Sequence, residues 1–377
     1  MTVSFIHTAD WQIGKQFGKI NGDIAALLRE SRFEAIKKLA QLANTYHVDA
    51  ILVAGDVFDA NEVSDTTLRR ALNAMYEYKG AWVLLPGNHD SALAQSVWTR
   101  IAQLPEKTDN IILATEPNPI SLANNQLVIL PAPLKQRHEF KDLTEWFDRY
   151  EVKEGVFKVG LAHGSVKGWL PESAEIHNMI SYDRTQTASL DYLALGDWHG
   201  QLKVSSKIWY SGTPEQDRFH DNEPGKALLV TLNAKGIDPT VMPLAIGTYQ
   251  WHEFEMQLFE EKDIVALDDI FKTLEPYEYQ VIRLYLTGNI SLELRQKLSE
   301  LLNSWEARLA MLEIDDHKLK LTPSENDLQA FSSVGFLGKA LERLLAIRDD
   351  KQHEDQKYAE RAIQLLWHQL QLSKGDR

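Results

Sequence analysis

The chain has 377 residues, a formal net charge of −14 and no cysteine. Disulfides, thiolate metal sites and cysteine nucleophiles are excluded, and so is a global positive field that would coat nucleic acid non-specifically. With 44% hydrophobic and 25% charged residues, no apolar run as long as a membrane span and no basic or apolar leader before Asp10, the composition fits a globular protein of the reducing cytoplasm.

The first two thirds alternate strand and helix patterns, as layered α/β domains require. Val3 to Thr8 is a short β-rich run that stops before Asp10-Trp11-Gln12. Ile24 to Tyr46 has helical spacing, with Leu28, Phe33, Ile36, Leu39, Ala40 and Ala43 on one stripe. Val48 to Ala54 is a continuous apolar run, the signature of a strand buried on both faces, and it stops at Gly55-Asp56-Val57-Phe58-Asp59. Thr66 to Tyr78 is helical again. Ala81 to Leu85 is the next strand, followed by Pro86-Gly87-Asn88-His89-Asp90. Further strand-like runs are Gln126 to Leu130, Val156 to Ala162 (before His163-Gly164), Tyr192 to Leu195 (before Gly196-Asp197-Trp198-His199) and Ala227 to Leu232.

Pro243 to Thr248 reads as a linker or crossover. Beyond it Gln280 to Leu286 alternates as a strand with one wet face. Gly288 is expected to end that strand and Ser291 to cap the next helix, whose stripe is Leu294, Leu298, Leu301, Leu302, Trp305 and Leu309. The expected organisation is a large domain over 1–245, a small α+β domain over 246–345 and a helical segment over 346–377. The last carries Ala362, Leu365, Leu366, Gln369 and Leu372 at helical spacing, with Ile363, Trp367 and Leu370 beside them. So wide an apolar face packs on its own domain or docks a partner.

Five apolar runs thus each end in residues able to grip a metal. One fold that gathers five strand ends would bring them together and build a two-metal site for cutting phosphate esters. Two divalent ions roughly 3.5–4 Å apart supply an attacking oxygen and charge stabilisation. Asp56 suits the bridging position, since its two oxygens can each bind one ion, and Gly55 permits the sharp turn before it. Asn88 offers an amide oxygen. His89 can protonate the leaving oxygen, and Asp90 can accept from its ring and fix the tautomer. His7 and His47 also end apolar stretches and read as structural. Lys15, Lys19, Arg29 and Arg32, or Lys135, Arg137 and His138, could hold a phosphate backbone, although a solvated face is the more ordinary reading of each.

These segments resemble the calcineurin-like metallophosphoesterase superfamily, and within it the SbcD-type nuclease subunit of DNA double-strand-break repair. The likeness is carried by Phe5-Ile6-His7-Thr8-Ala9-Asp10-Trp11, Ala54 to Asp59, Leu85 to Asp90, Tyr192 to Gly196 and Tyr210-Ser211-Gly212-Thr213-Pro214-Glu215. It covers about residues 1 to 220 and is looser over 250 to 345. It implies a four-layer αββα sandwich with a smaller α+β capping domain and a C-terminal helical segment. It implies one ion at Asp10, Gln12, Asp56 and His199, another at Asp56, Asn88, His163 and Asp197, and catalysis by His89. It also implies manganese, a DNA substrate, an SbcC-like coiled-coil ABC-type ATPase partner and a homodimer, in DNA repair or defence. Two positions depart from the family pattern: its first motif is Asp-x-His, here with Gln12, and its last is Gly-His-x-His, here with Asp197. Both changes move the donor set from nitrogen toward oxygen, which favours manganese or magnesium over zinc. The alternatives are another phosphoesterase of the superfamily, or a non-catalytic DNA- or partner-binding subunit with a degraded metal site.

Overall fold

The structure, a computed structural model, describes residues 2–20, 22–169, 177–219, 222–321, 335–350, 353–356, 358–359, 361–363 and 365–366. The chain divides into two compact units, Met1–Gln250 and Trp251–Arg377.

In chain order the strands of the first unit are β1 (Val3–Thr8), β2 (Ala50–Val53), β3 (Ala81–Leu84), β4 (Ile111–Leu113), β5 (Ile120–Leu122), β6 (Leu127–Ala132), β7 (Phe157–His163), β8 (Tyr192–Gly196), β9 (Leu202–Lys203), β10 (Ile208–Tyr210), β11 (Lys226–Leu232) and β12 (Thr240–Ala245). Its helices are α1 (Ile24–Thr45), α2 (Asp65–Met75), α3 (Val97–Ile101) and α4 (Arg184–Thr187). The strands form two six-stranded sheets, ordered β12-β11-β1-β2-β3-β4 and β5-β6-β7-β8-β10-β9. Strands β1 to β4 run parallel, as do β6, β7, β8 and β10.

Period-two alternation explains why these strands read as continuous apolar runs. Phe5, Ala50, Leu52 and Val83 pack against Ile129, Val159, Leu161 and Ala194 of the other sheet. The opposite face of the first sheet, with Ile6, Ile51, Val53 and Trp82, packs under Ile36 and Leu39 of α1 and Leu68 and Leu72 of α2. The outer face of the second sheet, with Val128, Leu130, Leu193 and Leu195, is covered by Phe147, Ala188 and Leu190. The layers are therefore α, β and β, with the short α4 and the 3₁₀ turn of Glu145–Arg149 forming a thin fourth layer. In such a fold the loops beyond the carboxyl ends of the parallel strands are free to carry chemistry, and every expected ligand segment lies there.

Two readings of the sequence are corrected. Pro243 is not in a linker: it pairs with Leu228 inside β12, an edge strand where the missing N–H of proline costs no ladder bond. Nor does Gly288 end its strand. In the second unit, β13 (Gln250–Leu258), α5 (Glu261–Lys272), β14 (Gln280–Ile290), α6 (Leu292–Glu306), β15 (Met311–Leu321) and α7 (Gly335–Asp349) follow in order. Strand β14 runs through Gly288, which has φ +111°, and a Cβ there would stand 2.2 Å from the Leu258 carbonyl oxygen. The glycine admits a close neighbour rather than a stop. Ser291 caps α6, accepting from the Leu294 N–H at 3.2 Å.

The sheet β13-β14-β15 carries Ile282, Leu284 and Leu286 into a core with Leu267 and Phe271 of α5 and Leu298 and Trp305 of α6. Leu341 of α7 packs on Ile363, with Leu344, Leu345 and Leu366 around them. Of the stripe expected near the C-terminus, Trp367, Gln369, Leu370 and Leu372 lie outside the described residues. Among the described residues no helix is long and apolar enough to cross a membrane.

Candidate metal centre

The first two ligand loops are tied together by main chain. The Asp10, Gln12 and Ile13 N–H groups donate to the carbonyls of Gly55, Asp56 and Val57 at 3.0, 2.9 and 2.9 Å. Asp10, Gln12, Asp56 and Asp197 all sit at positive φ (54°, 44°, 52° and 102°). For non-glycine residues this is a strained backbone, and such strain concentrates where side chains must be aimed. Two glycines clear the space. A Cβ on Gly55 would lie 2.1 Å from His163 Nδ1, and one on Gly87 would lie 2.2 Å from Asp56 Oδ1.

The ligand atoms of Asp10, Asp56 and His163 all lie within 4.8 Å of one another, and all three residues are buried. The His163 Nδ1–H donates to the Ala54 carbonyl at 2.9 Å. This leaves Nε2 facing the Asn88 Oδ1 at 2.9 Å, an Asp56 oxygen at 3.6 Å and an Asp197 oxygen at 3.7 Å. With a neutral ring those four atoms are all acceptors turned on one point. A proton on Nε2, a cation or a turned Asn88 amide must satisfy them. The Asn88 amide could also swap ends, its nitrogen then donating to His163 Nε2 at 2.9 Å and to both Asp56 oxygens at 3.1 Å. The donor set of two carboxylates, an amide oxygen and an imidazole fits a hard divalent cation.

The charge balance agrees. Burial opposes a charged His163, but Asp56, Asp10 and Asp197 outweigh it and raise its pKa to about 9. Burial raises Asp10 to about 6 and also moves Asp197 upward. A buried cluster that holds protons this firmly has more negative charge than its surroundings neutralise. Asp197 is further placed by its own N–H, which donates to the Asp10 carboxylate at 3.2 and 3.3 Å, and by the Ser165 hydroxyl, which donates to its Oδ2 at 3.0 Å.

His89 stands at the rim, a third exposed, with Nε2 3.9 Å from Asp56 Oδ2. Its main-chain N–H donates to Asp56 Oδ1 at 2.9 Å. The expected partner of its ring is corrected. Asp90 does not accept from His89, because its two oxygens accept from the Phe58 and Gly87 N–H groups at 2.9 and 2.7 Å. The His89 Nδ1–H donates instead to the Asp59 carbonyl at 3.0 Å. Asp90 thus staples the second loop to the third. Burial, followed by the nearby Asp56 charge, raises its pKa to about 8.

Gln12 and His199 lie together at the other end, with Gln12 Nε2 3.3 Å from His199 Nε2. His199 is held through Nδ1 by Asp217 Oδ1 at 3.3 Å, a residue that sequence reasoning does not single out. Its only signal is proximity to the Tyr210 to Glu215 segment. Asp217 also pairs with Lys15 and lies 3.8 Å from Arg32 Nη2. Burial opposes its ionisation, but His199, Arg32 and Lys15 hold its carboxyl well below the usual range. Arg32, expected on a solvated face, is buried and donates to the Trp11 carbonyl.

Comparison with known proteins decides the family: the calcineurin-like phosphoesterase profile matches residues 3–231. The chain belongs to the calcineurin-like phosphoesterase family. It is 25% identical over 301 residues to the uncharacterized metallophosphoesterase YhaO of Bacillus subtilis, covering 76% of this chain and 72% of that one. It is 22% identical over 348 residues to the DNA double-strand break repair protein Mre11 of Methanosarcina acetivorans, covering 88% of this chain. The match spans about half, 53%, of that archaeal relative. The crystal structure of TT1561 of Thermus thermophilus aligns with a TM-score of 0.38 and 12% identity, covering 61% of this chain and 94% of that one. As a phosphoesterase of this family the protein depends on divalent metal ions, and the Asp10, Asp56 and His163 cluster is where the fold presents ligands for them.

Proposed function

We propose that the protein is a metal-dependent nuclease that hydrolyses phosphodiester bonds in DNA, with manganese as its working ion. The observation that carries this is the convergence of Asp10, Asp56 and His163 on one point, with Asn88 and Asp197 beside them and His89 at the open rim. The match to the archaeal repair protein extends past the catalytic unit, since it covers 88% of this chain, and this favours DNA over a small phosphoester.

Asp10, Asp56, Asn88, His163, Asp197 and His199 are the residues that would hold divalent ions, with Asp56 central. A bound divalent ion polarises the phosphodiester and makes an attacking water acidic. The remaining work falls to the chain. His163, anchored on Ala54, keeps its Nε2 directed into the cluster. His89, held by the Asp59 carbonyl through Nδ1, presents Nε2 to protonate the leaving oxygen. Asp90 keeps the second and third loops in register.

The partner reading follows the same relationship: an SbcC-like ABC-type ATPase, docked through the segment after residue 345. Deleting that segment should abolish co-purification with the ATPase, and unchanged co-purification would remove the docking role. The substrate reading is tested by supplying Mn²⁺ with linear duplex DNA, single-stranded DNA and mononucleotides side by side. Cleavage of DNA that chelation abolishes supports a nuclease. Turnover of mononucleotides alone would replace it with a small-molecule phosphoesterase.

A further inference from the structure

Two amides face the metal centre from opposite ends, and they face it differently. Asn88 is free to choose: its oxygen serves a cation, its nitrogen serves the bare carboxylates. Gln12 has no such choice. Its Oε1 accepts from the Lys15 ammonium at 3.0 Å, and Lys15 has only hydrogens to offer. Turning the amide round would set N–H against N–H. The Gln12 nitrogen is therefore the atom presented to His199 Nε2, and it occupies the lone pair that a metal would use. Asp217 closes the ring. It pairs with Lys15 on one side and accepts from His199 Nδ1–H on the other. Gln12, Asp217 and His199 are all buried, and the Lys15 side chain is about a quarter exposed.

We propose that the two ends of this centre are unequal. One divalent ion is held tightly by Asp56, Asn88, His163 and Asp197. At the Asp10 and His199 end, Lys15, locked by Gln12 and Asp217, stands as a resident cation, and a second divalent ion binds there only weakly. Lys15 is thus a positioning residue that sets metal stoichiometry. The proposal rests on the metallophosphoesterase reading but goes beyond it. It replaces Gln12 as a ligand with Gln12 as the arm by which a lysine withdraws a histidine from coordination. The physical reason is that both potential ligands are already engaged: the Gln12 oxygen by Lys15 and the lone pair on His199 by the Gln12 N–H.

The test is a Mn²⁺ titration of the full-length, metal-free protein, followed by calorimetry and electron paramagnetic resonance. The expected result is one tight ion with a mononuclear spectrum and a second step about ten- to a hundredfold weaker, the scale on which ligand-supporting residues act. Lys15→Met frees the Gln12 amide to turn its oxygen inward. It should tighten the second step, leave the first in place and produce an exchange-coupled spectrum. Two ions of equal affinity in the unaltered protein would overturn the inference and leave the phosphoesterase reading standing. So would an unchanged second step in a Lys15→Met protein whose circular dichroism matches the original. Absence of any bound Mn²⁺ would overturn both readings. If Lys15→Met fails to fold, the stoichiometry and spectrum of the unaltered protein still decide.

Discussion

Asp10, Asp56, Asp90, His163, His199 and Asp217 are all buried in the first unit, whereas Gln280 is the buried polar side chain of the second among the described residues. The strained backbone divides the same way: among the described residues the non-glycine positions at positive φ end with Glu223. Burying a carboxylate is costly unless something pairs with it. Tolerating several in one cluster makes sense where a cation is to be held. The second unit obeys the ordinary rule, a sheet and two helices closed over Leu284, Phe271 and Trp305. Chemistry therefore belongs to the first unit and packing to the second, and that division can be attacked directly.

The largest effect should come from Asp56→Ala, which removes the central carboxylate. DNA cleavage with Mn²⁺ should be lost, and residual cleavage near the original rate would disprove the central role. His89→Ala should keep Mn²⁺ affinity but lower the rate by about a hundredfold or more. A loss of metal binding in that variant would move His89 from proton donor to ligand.

Leu284→Ala sharpens the contrast from the other side. The residue is fully buried, so the cavity should cost about 2–5 kcal/mol of stability. Urea denaturation reads that loss, while Mn²⁺ affinity should not move. A parallel drop in affinity would mean that the first unit does not hold its metal geometry by itself.

How much of the molecule is legible in its sequence follows the same division. The strand ends are readable because a strand buried on both faces must be apolar throughout, so its first polar residue marks the loop. Asp56, Asn88 and Asp197 stand out in that way, whereas Ser4, His7 and Thr8 precede Asp10 in β1 and Lys158 precedes His163 in β7. The role of Asp90 is misleading in sequence because adjacency to His89 suggests a side-chain pair, whereas the tight turn sends its oxygens to two backbone N–H groups. Asp217 and Lys15 are invisible as a pair because 202 residues separate them and neither ends an apolar run. Pro243 and Gly288 mislead because both usually break structure. Here the edge position of β12 and the close approach of Leu258 override that tendency.

His7 gives a smaller effect with a definite sign. Its Nε2–H donates to the Leu195 carbonyl at 3.1 Å, and the Tyr192 hydroxyl donates to its Nδ1 at 3.0 Å. Burial lowers its pKa from 6.5 to about 3. Between those two values the unfolded chain binds the proton and the folded one does not. Stability should therefore fall as pH drops through that window, at up to about 1.4 kcal/mol per pH unit from this residue. In His7→Gln the slope should be shallower by that amount, whatever the absolute stability. Equal slopes in urea melts at several pH values would show that the ring is not held neutral.

A pH effect of the same size per unit, read in metal affinity rather than in stability, is expected at His163. Its pKa of about 9 in the bare cluster means that near neutral pH an incoming ion must displace a proton from Nε2. Burial opposes that proton, and Asp56, Asp10 and Asp197 retain it. A cation among the same carboxylates takes over the role and releases it. Mn²⁺ affinity should accordingly rise with pH, by at most about tenfold per unit, and level off above about 9. Calorimetry in buffers of different ionisation enthalpy would count the protons released near pH 7.5: about one from His163, together with any given up by Asp90, raised to about 8, while Asp10, raised only to about 6, is already ionised. A count near zero would mean that the ring is neutral before the metal arrives. The Asn88 nitrogen would then face it in the bare site, and metal entry would begin with the turning of that amide rather than with the loss of a proton.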